Sequence, residues 1–220
     1  NEIDLKIKLI QTEILQEQKW LPHNRKPTIK LVLQEIDKAI LQNYDMVVFP
    51  ETVLPLYLNK DKKLMEQLQT RSYDINIVVG ALLRENKQNF NVTYIFQDFQ
   101  HTIAKKMVLV PFGEYIPLPA FARDFINDIF FSGQSDFVQA KKPTDFEVKG
   151  IKFRNAICYE ATCQELYEDD VKLMIATSNN AWFAPSIEPT LQKLLMRYYA
   201  RKNGVTIYHA ANYKGSGIIW

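Results

Sequence analysis

At 220 residues the chain is long enough for one sizeable core, and a single domain spanning 1–220 is expected. Its hydrophobic share of 47% and aromatic share of 12% fit a globular protein, and a net charge of +2 argues against the polycationic surface of a nucleic-acid binder. No apolar run approaches the roughly 20 residues that cross a bilayer. The opening Asn1-Glu2-Ile3-Asp4 lacks the basic and apolar segments of a signal peptide, so a soluble chain is expected.

Residues 5–13 alternate and then run apolar, which predicts a first strand. Over 28–41, Ile29, Val32, Leu33, Ile36 and Ile40 fall at helical spacing, with Pro27 just before them. Asp45 to Phe49 predicts a buried strand closed by Pro50, and 61–72 a second helix. Ile75 to Leu83 and Asn91 to Gln97 predict strands on either side of a polar turn around Glu85–Gln88, and another strand ends near Lys106. The stretch 111–143 is irregular but contains a short amphipathic helix within 118–131, with Leu118, Phe121, Phe125, Ile126 and Ile129 on one face. That face suits either core packing or a lid at a membrane surface.

Strands at 145–149 and 152–158 follow, then a short helix near 162–168 and a strand from Val171 to Thr177. Residues 190–203 predict a helix with Leu191, Leu194, Leu195 and Tyr198 on one face, and strands at 205–211 and 215–220 close the chain. Helices alternating with strands, plus runs of consecutive strands, predict an α/β layered sandwich. Trp220 falls inside an apparent strand, which sets the expectation of further sequence beyond it.

Three residues at the edges of apolar runs could serve one another: Glu51 in Val47-Val48-Phe49-Pro50-Glu51-Thr52, Lys106 before a Pro/Gly-marked loop, and Cys158 in Asn155-Ala156-Ile157-Cys158. A thiol attacks as its thiolate, which a nearby lysine favours and a carboxylate can generate by taking the proton. Each residue follows a predicted strand, the edge where α/β folds gather catalytic groups. Taken singly, each has a plainer reading: a small buried hydrophobe, a solvated loop acid, a surface charge. A Cys158–Cys163 disulfide is disfavoured, because a helix between them would hold the side chains apart. Neither the cysteines nor His23, His101 and His209 have metal-ligand spacing.

The local strings decide between these readings. Leu109-Val110-Pro111-Phe112-Gly113-Glu114-Tyr115-Ile116-Pro117 closely resembles the signature of the apolipoprotein N-acyltransferase family, a branch of the carbon–nitrogen hydrolase (nitrilase) superfamily. Lys19-Trp20 resembles that family's Lys-Trp pair, Phe49-Pro50-Glu51-Thr52 its Pro-Glu-Thr box, and Ile157-Cys158-Tyr159-Glu160 its Cys-Tyr-Glu elbow. Ser178-Asn179-Asn180-Ala181-Trp182-Phe183 and Ala211-Asn212 with Ser216 resemble its later segments. The chain departs from the pattern at Asn180, at Ala184, at Lys214 and in 197–203, where no Arg-Ala-x-Glu run is found.

The resemblance implies a nitrilase-like α-β-β-α sandwich and a two-step transfer. A phospholipid would acylate Cys158, and the N-terminal diacylglyceryl-cysteine of a bacterial apolipoprotein would then take the acyl chain. Cys158 would be the nucleophile and Glu51 the general base. Lys106 and the Tyr159 N–H would stabilise the oxyanion. Glu114 would orient Lys106, Tyr159 and Glu160 would shape the pocket, and Trp20 would lie near the lipid. No cofactor is implied. The family also implies a monomer in the bacterial inner membrane, with the catalytic domain facing the periplasm and membrane helices outside this chain. Two rivals stay open: a soluble nitrilase-type amidase using the same triad, and a non-enzymatic binding domain with a merely buried cysteine.

Overall fold

Two five-stranded sheets lie face to face in the computed structural model, which describes residues 4–110, 137–183 and 185–220. The first sheet has the order β1 (Ile7–Leu9), β2 (Met46–Val48), β3 (Asn76–Glu85), β4 (Gln88–Gln97), β5 (Gln100–Lys105). The second has the order β10 (Gly217–Ile219), β9 (Thr206–Asn212), β8 (Leu173–Asn179), β7 (Ile151–Ile157), β6 (Asp145–Val148). In each sheet three strands run parallel and the rest pair as antiparallel neighbours.

Strand alternation sorts the apolar residues into three layers. Met46, Val48, Val78, Ile95 and Ala104 of the first sheet meet Phe153, Ile175, Tyr208 and Ala210 of the second in the central layer. Val47, Ile77 and Val79 point the other way, against Val32, Ile36 and Ala39 of helix α2 (Pro22–Leu41) and Leu64 and Leu68 of α3 (Lys62–Arg71). On the far side, Ala156, Met174, Ala176 and Ile207 pack on Met196 and Ala200 of α4 (Glu188–Asn203). A four-residue helix, α1 (Gln16–Lys19), precedes α2. The layers are therefore α-β-β-α, the arrangement that the family resemblance implies.

Several boundaries differ from expectation. The first strand is only three residues long, though Ile10 N still donates to Val48 O at 2.9 Å. Helix α2 begins at Pro22 and contains Pro27. Pro22 occupies the first turn, where its missing N–H costs nothing, and Pro27 removes only one hydrogen bond just beyond. The helix expected near 162–168 is instead a pair of 3-10 turns, Cys158–Thr162 and Gln164–Tyr167. Helix α4 forms as predicted, but its Leu191, Leu194, Leu195 and Tyr198 face is exposed. The buried face carries Gln192, Met196 and Ala200. The amphipathic helix predicted within 118–131 lies outside the described residues.

Candidate active site

The three candidate residues come from three strand ends. The apolar run of β2 ends at Phe49, whose N–H donates to Val78 O at 2.8 Å, and the chain then turns tightly through Pro50, Glu51 and Thr52. Thr52 takes a left-handed φ of 46°. The turn leans on Gly80 of β3: a Cβ there would stand 2.3 Å from Thr52 N and 2.6 Å from Pro50 O. Only glycine allows this approach. Lys106 directly follows β5, with its N–H donating to Asn91 O at 3.0 Å and its carbonyl accepting from Ala140 N at 2.8 Å. Cys158 follows β7 and carries a φ of 57°, an uncommon conformation for a residue with a Cβ. That sharp turn into the 3-10 segment lifts the sulfur off the strand end, the same device that exposes nucleophiles on strand-to-helix turns.

Glu51 and Lys106 form a buried ion pair at 3.2 Å. The same carboxylate oxygen, Oε1, accepts from Asn91 Nδ2 at 2.8 Å, and Oε2 accepts from Asn179 N at 2.9 Å. Burial pushes the Glu51 carboxyl up, but the charges of Lys106 and Lys19 and the bonds from Asn91 and Lys106 outweigh it and hold it below its usual value. Cys158 is buried, with its sulfur 3.6 Å from Gln192 Nε2 on the inner face of α4. No disulfide joins Cys158 and Cys163. Among the described residues no group of His, Cys, Asp and Glu side chains is arranged to hold a metal ion.

Glu160 is buried at the base of the site. Its Oε1 accepts from the N–H groups of Met107 and Val108, the latter at 2.9 Å, and its Oε2 accepts from Ile157 N at 2.6 Å. One carboxyl thus ties the segment after Lys106 to the strand end before Cys158. Burial pushes it up to about 7 against the opposing pull of Lys106 and the three backbone donors. Tyr159 is exposed beside the cysteine, and Trp20 is exposed at the end of α1. Glu114 lies outside the described residues.

Four further residues bind this cluster. Asn91 holds Glu51 by Nδ2 and accepts from Thr52 Oγ1 at 3.5 Å. Gly80 permits the Glu51 turn, and Gln192 reaches the sulfur. The fourth, Lys19, is buried, and its Nζ donates to the Glu51 main-chain carbonyl at 3.1 Å. With the Asn179 amide oxygen turned toward Lys19 Nζ and Trp182 Nε1, it accepts from both at 3.1 Å. In the sequence Lys19 stands out only as half of the Lys-Trp pair; a lysine after an exposed helical stretch carries no sequence signal of burial. Two departures from the family pattern meet: Asn180 Nδ2 donates to Lys214 O at 2.7 Å.

The model of the carbon–nitrogen hydrolase family matches residues 7–220. The chain belongs to the carbon–nitrogen hydrolase family. Among curated relatives of this carbon–nitrogen hydrolase, an apolipoprotein N-acyltransferase of Wolinella succinogenes is 49% identical over 97% of this chain and 52% of that protein. One from Campylobacter jejuni is 39% identical over 99% of this chain and 48% of that protein. The chain spans about half the length of these relatives. Solved structures agree on the fold. A carbon–nitrogen hydrolase superfamily protein from Xanthomonas campestris aligns with a TM-score of 0.70 at 17% identity, over 96% of this chain and 77% of that one. An amidase from Nesterenkonia sp. aligns with a TM-score of 0.68 at 15% identity, over 98% and 79%.

In this carbon–nitrogen hydrolase, a carboxylate, an ammonium and a thiol share one buried end of the sandwich. Such a set can deprotonate a thiol, attack a carbonyl and hold the resulting oxyanion.

Proposed function

We propose that this chain is the catalytic domain of an apolipoprotein N-acyltransferase, moving a fatty acyl group from a phospholipid to the amine of an N-terminal diacylglyceryl-cysteine. The observation that carries the reading is the buried Glu51–Lys106 pair, 3.2 Å long, whose Lys106 segment is tied by Glu160 to the strand end before Cys158. The names of the curated relatives supply the reaction class.

In the first step the Cys158 proton passes to Glu51 and the thiolate attacks the ester carbonyl of the phospholipid. Lys106 Nζ and the Tyr159 N–H stabilise the oxyanion. Collapse breaks the ester C–O bond, and the departing lysophospholipid oxygen takes the proton from Glu51. In the second step the lipoprotein amine attacks the thioester and gives a proton to Glu51. The C–S bond breaks, and the sulfur recovers that proton. Glu160 keeps the Lys106 and Cys158 segments in register, while exposed Trp20 and Tyr159 offer aromatic surface to acyl chains. Glu114 keeps its expected role of orienting Lys106.

The reading places the domain at the periplasmic face of a bacterial inner membrane, acting as a monomer and held there by segments outside this chain. Among the described residues no helix is long and apolar enough to cross a membrane. The test is transfer to a synthetic diacylglyceryl-cysteine peptide from detergent-dispersed phospholipid. An N-acylated peptide, lost in Cys158→Ala, supports the reading. Release of free fatty acid with no acylated peptide, or hydrolysis of small amides instead, overturns it in favour of a hydrolase.

A further inference from the structure

Lys19 differs from the other buried cations among the described residues, Lys106 and Arg154, which each pair directly with a carboxylate. It is 3% exposed, yet the atoms it donates to are neutral oxygens: the Glu51 main-chain carbonyl at 3.1 Å and, in the amide orientation given above, Asn179 Oδ1 at 3.1 Å. A buried cation without a carboxylate in direct contact is costly, and a neutral side chain of the same length would avoid that cost. Neither neutral oxygen requires an ammonium, since an amide N–H would serve as well. The groups of opposite charge that feel Lys19 are the Glu51 carboxylate and the Cys158 sulfur.

We infer that Lys19 is a positioning residue of the active site: its ammonium pins the Glu51 turn and supplies the positive charge that balances the Cys158 thiolate. The inference rests on the reading above only in taking Cys158 as the nucleophile. Charge counting gives the reason. Lys106 and Glu51 already form a neutral pair. When Cys158 loses its proton to solvent while Glu51 stays ionised, sulfur and carboxylate carry two negative charges in a region shielded from water. Lys106 balances one of them, and protonated Lys19 adds a second cation felt by both. When the proton passes to Glu51 instead, a single negative charge moves from carboxylate to sulfur to oxyanion, and Lys19 adds to the field that favours it on the sulfur. Glu160, whose carboxyl also feels Lys106, adds negative charge above about pH 7 and increases the need for a second cation. Burial pulls the Lys19 ammonium down to about 8 despite Glu51 and Cys158, so at neutral pH it remains charged.

The test is the pH dependence of iodoacetamide alkylation, read at Cys158 by peptide mass, for the wild type, Lys19→Met and Lys19→Gln. Peptide-level reading separates Cys158 from Cys163, whose thiol burial pushes up to about 11. Glutamine keeps an N–H donor for the Glu51 carbonyl without the charge; methionine removes both. Both variants are expected to move the thiol's midpoint upward by about one pH unit, a roughly tenfold slower reaction at pH 7. A thermal midpoint at or above wild type is expected for Lys19→Gln, which keeps the donor, and a lower one for Lys19→Met, which leaves the Glu51 carbonyl without it. A midpoint in Lys19→Gln that matches wild type, or a wild-type midpoint at the ordinary thiol value of about 8.5, overturns the inference. Failure of the acyltransferase reading is distinguishable: peptide acylation is then absent in the wild type while the alkylation midpoints still separate.

Discussion

Gly80 and Thr52 are in backbone contact: a Cβ on residue 80 would stand 2.3 Å from the Thr52 nitrogen. The strand carrying Gly80 is thereby the wall against which the Glu51 turn is set. Gly80→Ala should force the turn away and cost about 2 kcal/mol of stability, as overpacked cores do. Cys158 alkylation at pH 7 should slow at least tenfold, because the carboxylate proposed as its base is displaced. Thermal unfolding and alkylation rate, measured together on that variant, check both.

Glu51→Gln keeps the shape of the side chain and removes the carboxylate proposed as the base. Acyl transfer should fall by about 10²- to 10⁴-fold, the usual worth of a general base. Lys106→Met should fall by about 10²- to 10³-fold through loss of an oxyanion donor. It should also destabilise the fold, since it leaves a buried carboxylate without its closest cation. Single-turnover rates with chemical denaturation separate the two effects.

Cys158 holds a φ of 57°. In that conformation a Cβ costs about 1 kcal/mol, which glycine avoids. Cys158→Gly is therefore expected to be at least as stable as Cys158→Ala, reversing the usual preference for alanine. Equilibrium unfolding of the two inactive variants tests this.

The strands were legible because each is a short apolar run closed by Pro, Gly or a polar turn, and the three candidate residues stood out because each directly follows such a run. What stayed illegible depends on contacts between distant segments. Gly80 matters because of a turn 28 residues earlier in the chain, and Asn91 because its amide meets Glu51 across two strands. The outward face of α4 misleads for a related reason. Leu191, Leu194, Leu195 and Tyr198 look like a core stripe, but the opposite face is turned inward, where Gln192 lies against the Cys158 sulfur. Periodicity finds a stripe without saying which side the sheet is on.

Two buried groups titrate between pH 4 and 7 with opposite signs. His209, bonded to Ser178 Oγ at 2.8 Å and Gly215 O at 2.9 Å, is pulled down by burial to about 4. Its stabilising contribution is complete above the unfolded value of about 6.5 and is lost as pH falls toward 4. Glu160 is raised to about 7, so its contribution is complete below the unfolded value of about 4.3 and is lost as pH rises toward 7. Each amounts to about 3 kcal/mol, and they nearly cancel in the wild type. His209→Gln should gain stability as pH drops from 7 to 4.5, and Glu160→Gln should lose it. Urea unfolding across that range reads both slopes.

The central claim is that Cys158 becomes an acyl-thioester. Intact mass after incubation with detergent-dispersed phospholipid tests it most directly, with Cys158→Ala alongside. A mass increase of one fatty acyl group, removed by hydroxylamine and absent from Cys158→Ala, is the predicted result. No adduct on a protein whose Cys158 alkylates rapidly at neutral pH would contradict acylation by phospholipid while leaving an activated thiol. No adduct and a sluggish thiol would contradict a catalytic role for Cys158 altogether.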